Sequence, residues 1–516
     1  MQTPAKTSGP KILTGTAAVA CATMLLSGCT APANDELSSE IQAVIDDPMF
    51  TGGGWGIYAV DLETGDPVYE LNSTIPFVPG SIQKSFTTAA VLEILGGEER
   101  LTTPVYGTGE IVDGTLDGDL VLVGSGDFSF GLRDLPDDSL EITSFDHNEA
   151  NTGLLPVELN SGDPLSALRS LAGSILESGV SSITGDVVVE NQLFDPMLDW
   201  PDGRIDSIWI NENVMDVELT ANEVGERPDI RVIPHLDALS VVNDVTVVAG
   251  DAVEVAISMS DMTVTASGTI GIDAGVTVRN TQIPDPVAFA ATAFRQVLDE
   301  EGIVVNGSGL ESQTPFDEAA SEPLAEWVSP PLSEFARVVQ KISYNRGADL
   351  LACLIAVSEE STDCVDGAAT VLTAVDARNG ENAVRLFDPA GSVDENRSSA
   401  QSHVDFLRSV HDEPWGDQFV DLQPIAGVDG SLASLGVGTS AEGNIHAKTG
   451  TRIHWYPTTK QLFYLARSYA GYVTTESGRD LAFTVIFNST TVDDIDGVFE
   501  INDRIADIIL ALQKKG

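Results

Sequence analysis

The sequence predicts a mixed α/β protein of the α+β kind, built as one discontinuous domain interrupted by β-rich insertions. Three observations lead there. A hairpin and an apolar helix over residues 55–95 stand near the N-terminus with no strands beside them to complete a sheet. Strand-like runs and an amphipathic helix return only over residues 445–512. Between them, from about 103 to 285, the texture changes to short β-like runs punctuated by Gly, Asp and Asn. A lone hairpin needs sheet partners, and an insertion explains their distance better than a string of independent domains.

The elements follow in order. Lys6 and Lys11 form a positive n-region, Ile12 to Leu26 is mostly apolar or small, and Leu26-Ser27-Gly28-Cys29 has the shape of a lipoprotein cleavage box. Residues 1–28 read as a signal peptide, Cys29 as the lipidated residue, and residues 29–47, with their acidic run from Asn34, as a tether. The protein is then exported and lipid-anchored to the outer face of the cell membrane. An ordinary secretory signal or an uncleaved anchor is the alternative. Trp55 to Val60 alternates like a strand, Glu63-Thr64-Gly65-Asp66 turns, and Val68 to Leu71 returns. Pro79-Gly80 stops the chain before a helix from Ser81 to Leu95, with Ala89, Ala90, Leu92, Ile94 and Leu95 available for burial.

In the middle, strands are expected at Leu120–Val123, Asp186–Val189, Val214–Leu219, Asp229–Ile233, Val245–Val248, Ala252–Ser258 and Met262–Ser267, with helices at Leu165–Leu176 and Ala288–Glu301. These modules carry no apparent chemistry. Ser329-Pro330-Pro331 marks a boundary. Leu332 to Ile355 reads as one or two apolar-faced helices, with Ser343 and Asn345 in the connection or at a helix start. Strands follow around Ile445–Thr449, Ala470–Thr474 and Ala482–Phe487, then a helix from Val498 to Leu512.

Charge and cysteine count narrow the class. The chain has 79 acidic against 26 basic residues, a net charge of −53. Phosphates would be repelled, so a nucleic-acid partner is excluded. Cys21 leaves with the signal and Cys29 takes the lipid. Cys353 and Cys364 remain, in an oxidising setting where they form a disulfide or stay as two buried thiols. The six histidines are scattered, with no H-E-x-x-H and no C-x-x-C, so no metal or other cofactor is expected. A G-x-S-x-G elbow is missing, which disfavours a Ser-His-Asp hydrolase. Asp388 and Asp394 read as solvated loop acids.

The informative residues are the lysines. The chain has only eight, and Lys84, Lys341 and Lys448 stand in Ser81-Ile82-Gln83-Lys84, just before Ser343-Tyr344-Asn345, and in Lys448-Thr449-Gly450-Thr451. A serine hydroxyl is a poor nucleophile until a base takes its proton. Positions i and i+3 share a helix face, so Lys84 can reach Ser81. A lysine serves as base only when burial or a second cation lowers its pKa, and Lys448 is the candidate cation. Ser343 can relay a proton to the leaving group, and Asn345 can orient Lys84 and the substrate's peptide group. Thr449, Thr451 and the Lys448 charge suit a substrate carboxylate. The backbone N–H groups of Ser81 and Thr451 suit an oxyanion hole. Each motif alone is weak; their order and context carry the reading.

These motifs are of the kind found in serine enzymes acting on D-Ala-D-Ala or β-lactams. With Gly118–Asp127, Ile183–Val189, Asn211-Glu212-Asn213-Val214, Ile425–Leu432, His446–Thr451 and Ala470-Gly471-Tyr472, the chain resembles the penicillin-binding-protein-4 type of D-alanyl-D-alanine carboxypeptidase. That is peptidase family S13, the class C low-molecular-mass penicillin-binding proteins. The long interval between Ser81 and Ser343 is this family's most specific trait.

The resemblance implies a penicillin-recognising, serine transpeptidase-like domain over 48–102 and 329–516. It implies nested insertions at 103–195 with 285–328 (domain II) and at 196–284 (domain III). It also implies acylation of Ser81 with Lys84 as base, Ser343, Asn345 and Lys448 as catalytic partners, and Thr449, Gly450 and Thr451 on the substrate-docking strand. Peptidoglycan stem peptides are the implied substrates and β-lactams the covalent inhibitors. Rival readings are a DD-endopeptidase cutting cross-links, a penicillin-hydrolysing relative, or a catalytically idle peptidoglycan-binding envelope lipoprotein. The chain departs from the family in the Tyr344 of its middle motif, in the loop Asp388-Pro389-Ala390-Gly391-Ser392, and in a longer Arg452–Ser468 segment, expected to extend a hairpin or form a flap.

Overall fold

The computed structural model describes residues 35–516 except 154–155, 198–199, 309–321 and 381–383. The expected signal segment and Cys29 lie outside the described residues. The N-terminal and C-terminal stretches include α1 (Asp35–Ile45), β1 (Gly54–Asp61), β2 (Pro67–Leu71), α2 (Lys84–Ala90), α3 (Leu332–Lys341), α4 (Asn345–Ser358), α5 (Cys364–Asn379), α6 (Ala400–His411), β3 (Ile445–Tyr456), β4 (Gln461–Thr474), β5 (Asp480–Val492) and α7 (Ile495–Lys515). Their sheet is antiparallel in the order β3-β4-β5-β1-β2. Trp55 lies opposite Phe487 and Ala59 opposite Phe483, so the early hairpin finds its partner at the other end of the chain.

Alternation along β5 separates two cores. Leu481, Phe483, Val485 and Phe487 face α1 and α7. Ala482 and Ile486 join Phe86 of α2 and Phe406 of α6 on the other face. Phe86 stacks on His403 at 4.6 Å and meets Phe406 edge-on at 4.8 Å.

The expected tether needs correction. Residues 35–45 are α1, with Leu37, Ile41 and Val44 buried at helical spacing. The acidic residues between them occupy the outer face, where Glu36 and Glu40 pair with Lys515 at 2.7 and 2.5 Å. Asp47 pairs with Arg504 at 3.1 Å. Acidic composition hid an amphipathic period. Ile94 also differs from expectation: it is exposed while Leu92 is buried, because residues two positions apart lie on nearly opposite sides of a helix.

The Leu332–Ile355 stretch is two helices. The break falls at Ser343, whose φ of 64° no helix accommodates. The disulfide between Cys353 and Cys364 ties α4 to the start of α5 across a sequence separation of 11. Ser329-Pro330-Pro331 ends the strand Ala325–Pro331 and leads directly into α3.

The insertion is built on several small sheets. One four-stranded sheet runs in the order 325–331, 100–107, 120–123, 187–190. Two three-stranded sheets fall within 214–282: one of 214–220, 229–233 and 276–282, the other of 240–248, 253–260 and 263–271. One apolar core, with helices Ser166–Glu177 and Pro286–Glu300, runs beneath them. Among the described residues no helix is long and apolar enough to cross a membrane.

Candidate active site

The chain approaches Ser81 under tight restraint. Val78 is held on both sides by Asn488 of β5, its N–H donating to Oδ1 at 2.8 Å and its carbonyl accepting from Nδ2 at 3.1 Å. Gly80 then turns at φ 60°, where a Cβ would stand 3.2 Å from the Thr451 nitrogen. The left-handed φ favours glycine there, and a side chain would crowd the β3 backbone. Ser81 lies on a single 3₁₀ turn, Gly80–Gln83, that runs into α2, rather than on the α-helix itself. Three residues per turn place i and i+3 directly over one another. Lys84 Nζ accordingly lies 3.0 Å from Ser81 Oγ.

The same Nζ donates to Asn345 Oδ1 at 2.6 Å and to the Ala390 carbonyl at 2.7 Å. Lys84 is wholly buried, and burial lowers its pKa to about 8 against the pull of the Asp202, Asp388, Asp349 and Glu149 carboxylates. Burial is thus the chief influence that drives Lys84 toward the free amine.

Lys448, also wholly buried, donates to Ser343 Oγ at 2.9 Å and to the Thr449 carbonyl at 2.9 Å. Burial first, then the Lys84 and Arg467 charges, hold its pKa well below the ordinary range. The structure therefore gathers Ser81, Lys84 and Asn345 in one hydrogen-bonded group and pairs Ser343 with Lys448. A Cβ on Gly450 would stand 2.6 Å from the Pro79 carbonyl and 3.0 Å from the Ser81 nitrogen, so β3 presses its backbone directly on the Ser81 turn. Thr449 Oγ1 donates to Ser431 Oγ at 2.7 Å, and Thr451 Oγ1 accepts from Arg467 at 2.7 Å.

Several groups around this site escaped sequence reasoning. Arg467 lies opposite Thr451 in the β3–β4 register and stacks over Tyr469 at 4.4 Å; its only signal was the cross-strand position. Lys341 does not reach the site. It is buried and salt-bridged to Asp429 at 2.8 Å, which pins the Gly427–Leu432 turn bearing Ser431. Tyr344 turns inward onto Phe128 and is 3% exposed, so the unusual middle residue does not face the cleft.

Asp388 is no solvated acid. It is fully buried and accepts from the Ser392 and Val393 amides at 2.8 and 3.3 Å and from Asn396. It thereby shapes the loop that offers the Ala390 carbonyl. Asp394 is more exposed and pairs with Arg452 and His454 at 2.7 and 2.8 Å. The inserted segment supplies Asp202, whose carboxylate accepts from Asn345 Nδ2 at 2.8 Å and from Ser392 Oγ. The long Arg452–Ser468 segment extends the β3–β4 hairpin.

The fold is shared with known penicillin-binding proteins. The crystal structure of penicillin binding protein 4 from Haemophilus influenzae superposes with a TM-score of 0.69, at 20% identity, over 93% of this chain and 99% of that one. The same protein complexed with a novel β-lactam gives 0.68 over the same shares, also at 20% identity. The D-alanyl-D-alanine carboxypeptidase of Actinomadura sp. (strain R39) is 26% identical over 490 residues, covering 88% of this chain and 81% of the relative. The model of the D-Ala-D-Ala carboxypeptidase 3 (S13) family matches residues 37–508. The fold is that of penicillin binding protein 4, and the family model and relatives define a serine peptidase. The chain belongs to the S13 family of D-Ala-D-Ala carboxypeptidases.

Proposed function

We propose that Ser81 is the residue acylated in a D-Ala-D-Ala carboxypeptidase reaction on peptidoglycan stem peptides. Lys84 as free amine takes the Ser81 proton while Oγ bonds to the carbonyl carbon of the penultimate D-Ala. The peptide C–N bond then breaks, the terminal D-Ala leaves with a proton relayed from Lys448 through Ser343, and water hydrolyses the ester. The Ser81 and Thr451 amides receive the developing oxyanion. Asn345 holds Lys84 and the substrate's peptide group. Thr449, Gly450 and Thr451 dock the terminal carboxylate, which draws a proton onto Lys448, since an opposite charge favours the ammonium. The observation that carries this reading is the 3.0 Å approach of a fully buried Lys84 amine to Ser81 Oγ.

β-Lactams acylate the same serine, a reading supported by the β-lactam complex of the H. influenzae relative. Cys29 carries the lipid that anchors the exported enzyme, after removal of residues 1–28. Segments 103–195 with 285–328, and 196–284, act as nested inserted domains around a catalytic domain of 48–102 and 329–516.

A fluorescent penicillin tests the chemistry: covalent labelling disappears in Ser81→Ala, and labelling that persists in that variant refutes the assignment. Product masses from a defined cross-linked muropeptide test the specificity. Loss of single alanines is expected, and cleavage of the bridge identifies a DD-endopeptidase instead.

A further inference from the structure

We propose that Asp202, carried to the active site by the inserted segment, is a positioning residue that sets the orientation of the Asn345 amide and so aims the Lys84 lone pair at Ser81. The inference rests on the acylation mechanism proposed above and adds a residue that the motifs do not contain.

An ionised carboxylate only accepts hydrogen bonds. Asp202 therefore obliges Asn345 to turn its NH2 outward, at 2.8 Å, and its Oδ1 inward, 2.6 Å from Lys84 Nζ. A neutral lysine amine has two N–H groups and one lone pair. Asn345 Oδ1 and the Ala390 carbonyl take the two N–H groups. The lone pair is left for the proton of Ser81, 3.0 Å away. Rotating the Asn345 amide by half a turn would offer an N–H to that lone pair and compete with the serine.

Asp202 also braces the second acceptor. Its other oxygen takes the hydroxyl of Ser392, in the loop that presents the Ala390 carbonyl. That loop is pressed against the Ser81 turn: at Gly391, φ 81°, a Cβ would stand 2.3 Å from the Gly80 carbonyl. The insert is held at this point by Arg346, the neighbour of Asn345, which donates to the Arg204 and Glu212 carbonyls at 3.0 and 2.7 Å. One carboxylate from the insert thus binds Asn345 directly and, through Ser392, braces the loop that carries the Ala390 carbonyl.

The titratable groups facing Lys84 are Asp202 and Glu149 from the insert, Asp349 on α4, Asp388 in the loop and Lys448 on β3, and burial pushes Asp349 and Lys448 toward their neutral forms. Asp202 is the foremost of the carboxylates in favouring the ammonium. Removing its charge lowers the Lys84 pKa further, a readout that a purely structural brace would not move.

The test uses the full chain with Asp202→Asn, Asp202→Glu and Ser392→Ala. Two quantities are read: the rate of acylation by fluorescent penicillin against pH, and the Lys84 titration by NMR of ¹³Cε-labelled lysine, tractable with eight lysines. Asp202→Asn is expected to slow acylation by about tenfold to a hundredfold and to move the Lys84 titration to lower pH. Asp202→Glu recovers most of the rate and leaves the titration in place. Ser392→Ala keeps the charge and slows acylation without moving the titration. An unchanged rate in Asp202→Asn overturns the proposal, as does a slowed rate with an unmoved Lys84 titration. If Asp202→Asn does not fold, an unaltered rate in Ser392→Ala overturns it and a slowed one supports it. The titration reads the Asp202–Lys84 coupling even in a protein that no penicillin labels, so failure of the acylation mechanism is recognised separately, in the wild type.

Discussion

Lys84 holds its nitrogen against Asn345 Oδ1, the Ala390 carbonyl and Ser81 Oγ, and has no solvent to fall back on. Burial lowers its pKa to about 8, and the free amine is the form that accepts a proton. Acylation by penicillin should therefore rise with pH through about 8 and level off above it; stopped-flow fluorescence over pH 6–10 reads that limb. A limb that tracks no group near 8 removes Lys84 as base. Lys84→Ala should cost roughly 10²–10⁴-fold in acylation rate with the circular-dichroism spectrum retained. The grouping of Ser81, Lys84, Asn345, Ser343 and Lys448 was legible in the sequence because their spacing is written in short motifs. Asp202, the Ala390 carbonyl and Arg467 were not. A lone aspartate in an acidic chain carries no signal, and a backbone acceptor carries none at all.

Elements were legible where period and punctuation agree. Asp229–Ile233 and the strand starting at Val214 fall where alternation puts them. The miss at α1 came from reading composition before period: an acidic helix and an acidic linker share a composition, and only burial of Leu37, Ile41 and Val44 separates them. β3 and β4 run past the core strand runs, as one of the two readings of Arg452–Ser468 expected, because they pair with each other and β4 also pairs with β5. The α4–α5 disulfide closes a short loop, so the paired variant Cys353→Ala/Cys364→Ala should lose about 2–3 kcal/mol, measured by urea unfolding. No loss would mean that the native packing of α4 on α5 holds the pair without the bond.

At the scale of the whole molecule, the net charge of −53 sets the behaviour. Self-repulsion opposes compaction, and salt screens it within about 8 Å at physiological ionic strength. The melting temperature should rise between 10 mM and 500 mM NaCl in a calorimeter. A flat or falling response would show that local pairs such as Lys515 with Glu36 and Glu40 outweigh the general field. The sequence by itself determined the α+β class, the interruption by β-rich inserts and which serine, amide and lysines are candidates for the site, because these are written in periodicity and in motifs of a few residues. Only the tertiary structure decided that burial is what unmasks Lys84, that Lys341 belongs to a salt bridge and Tyr344 to the core, and that the insert reaches Asn345 with a carboxylate. Desolvation and contact depend on which distant segments close over a group, and no local window of residues contains that information.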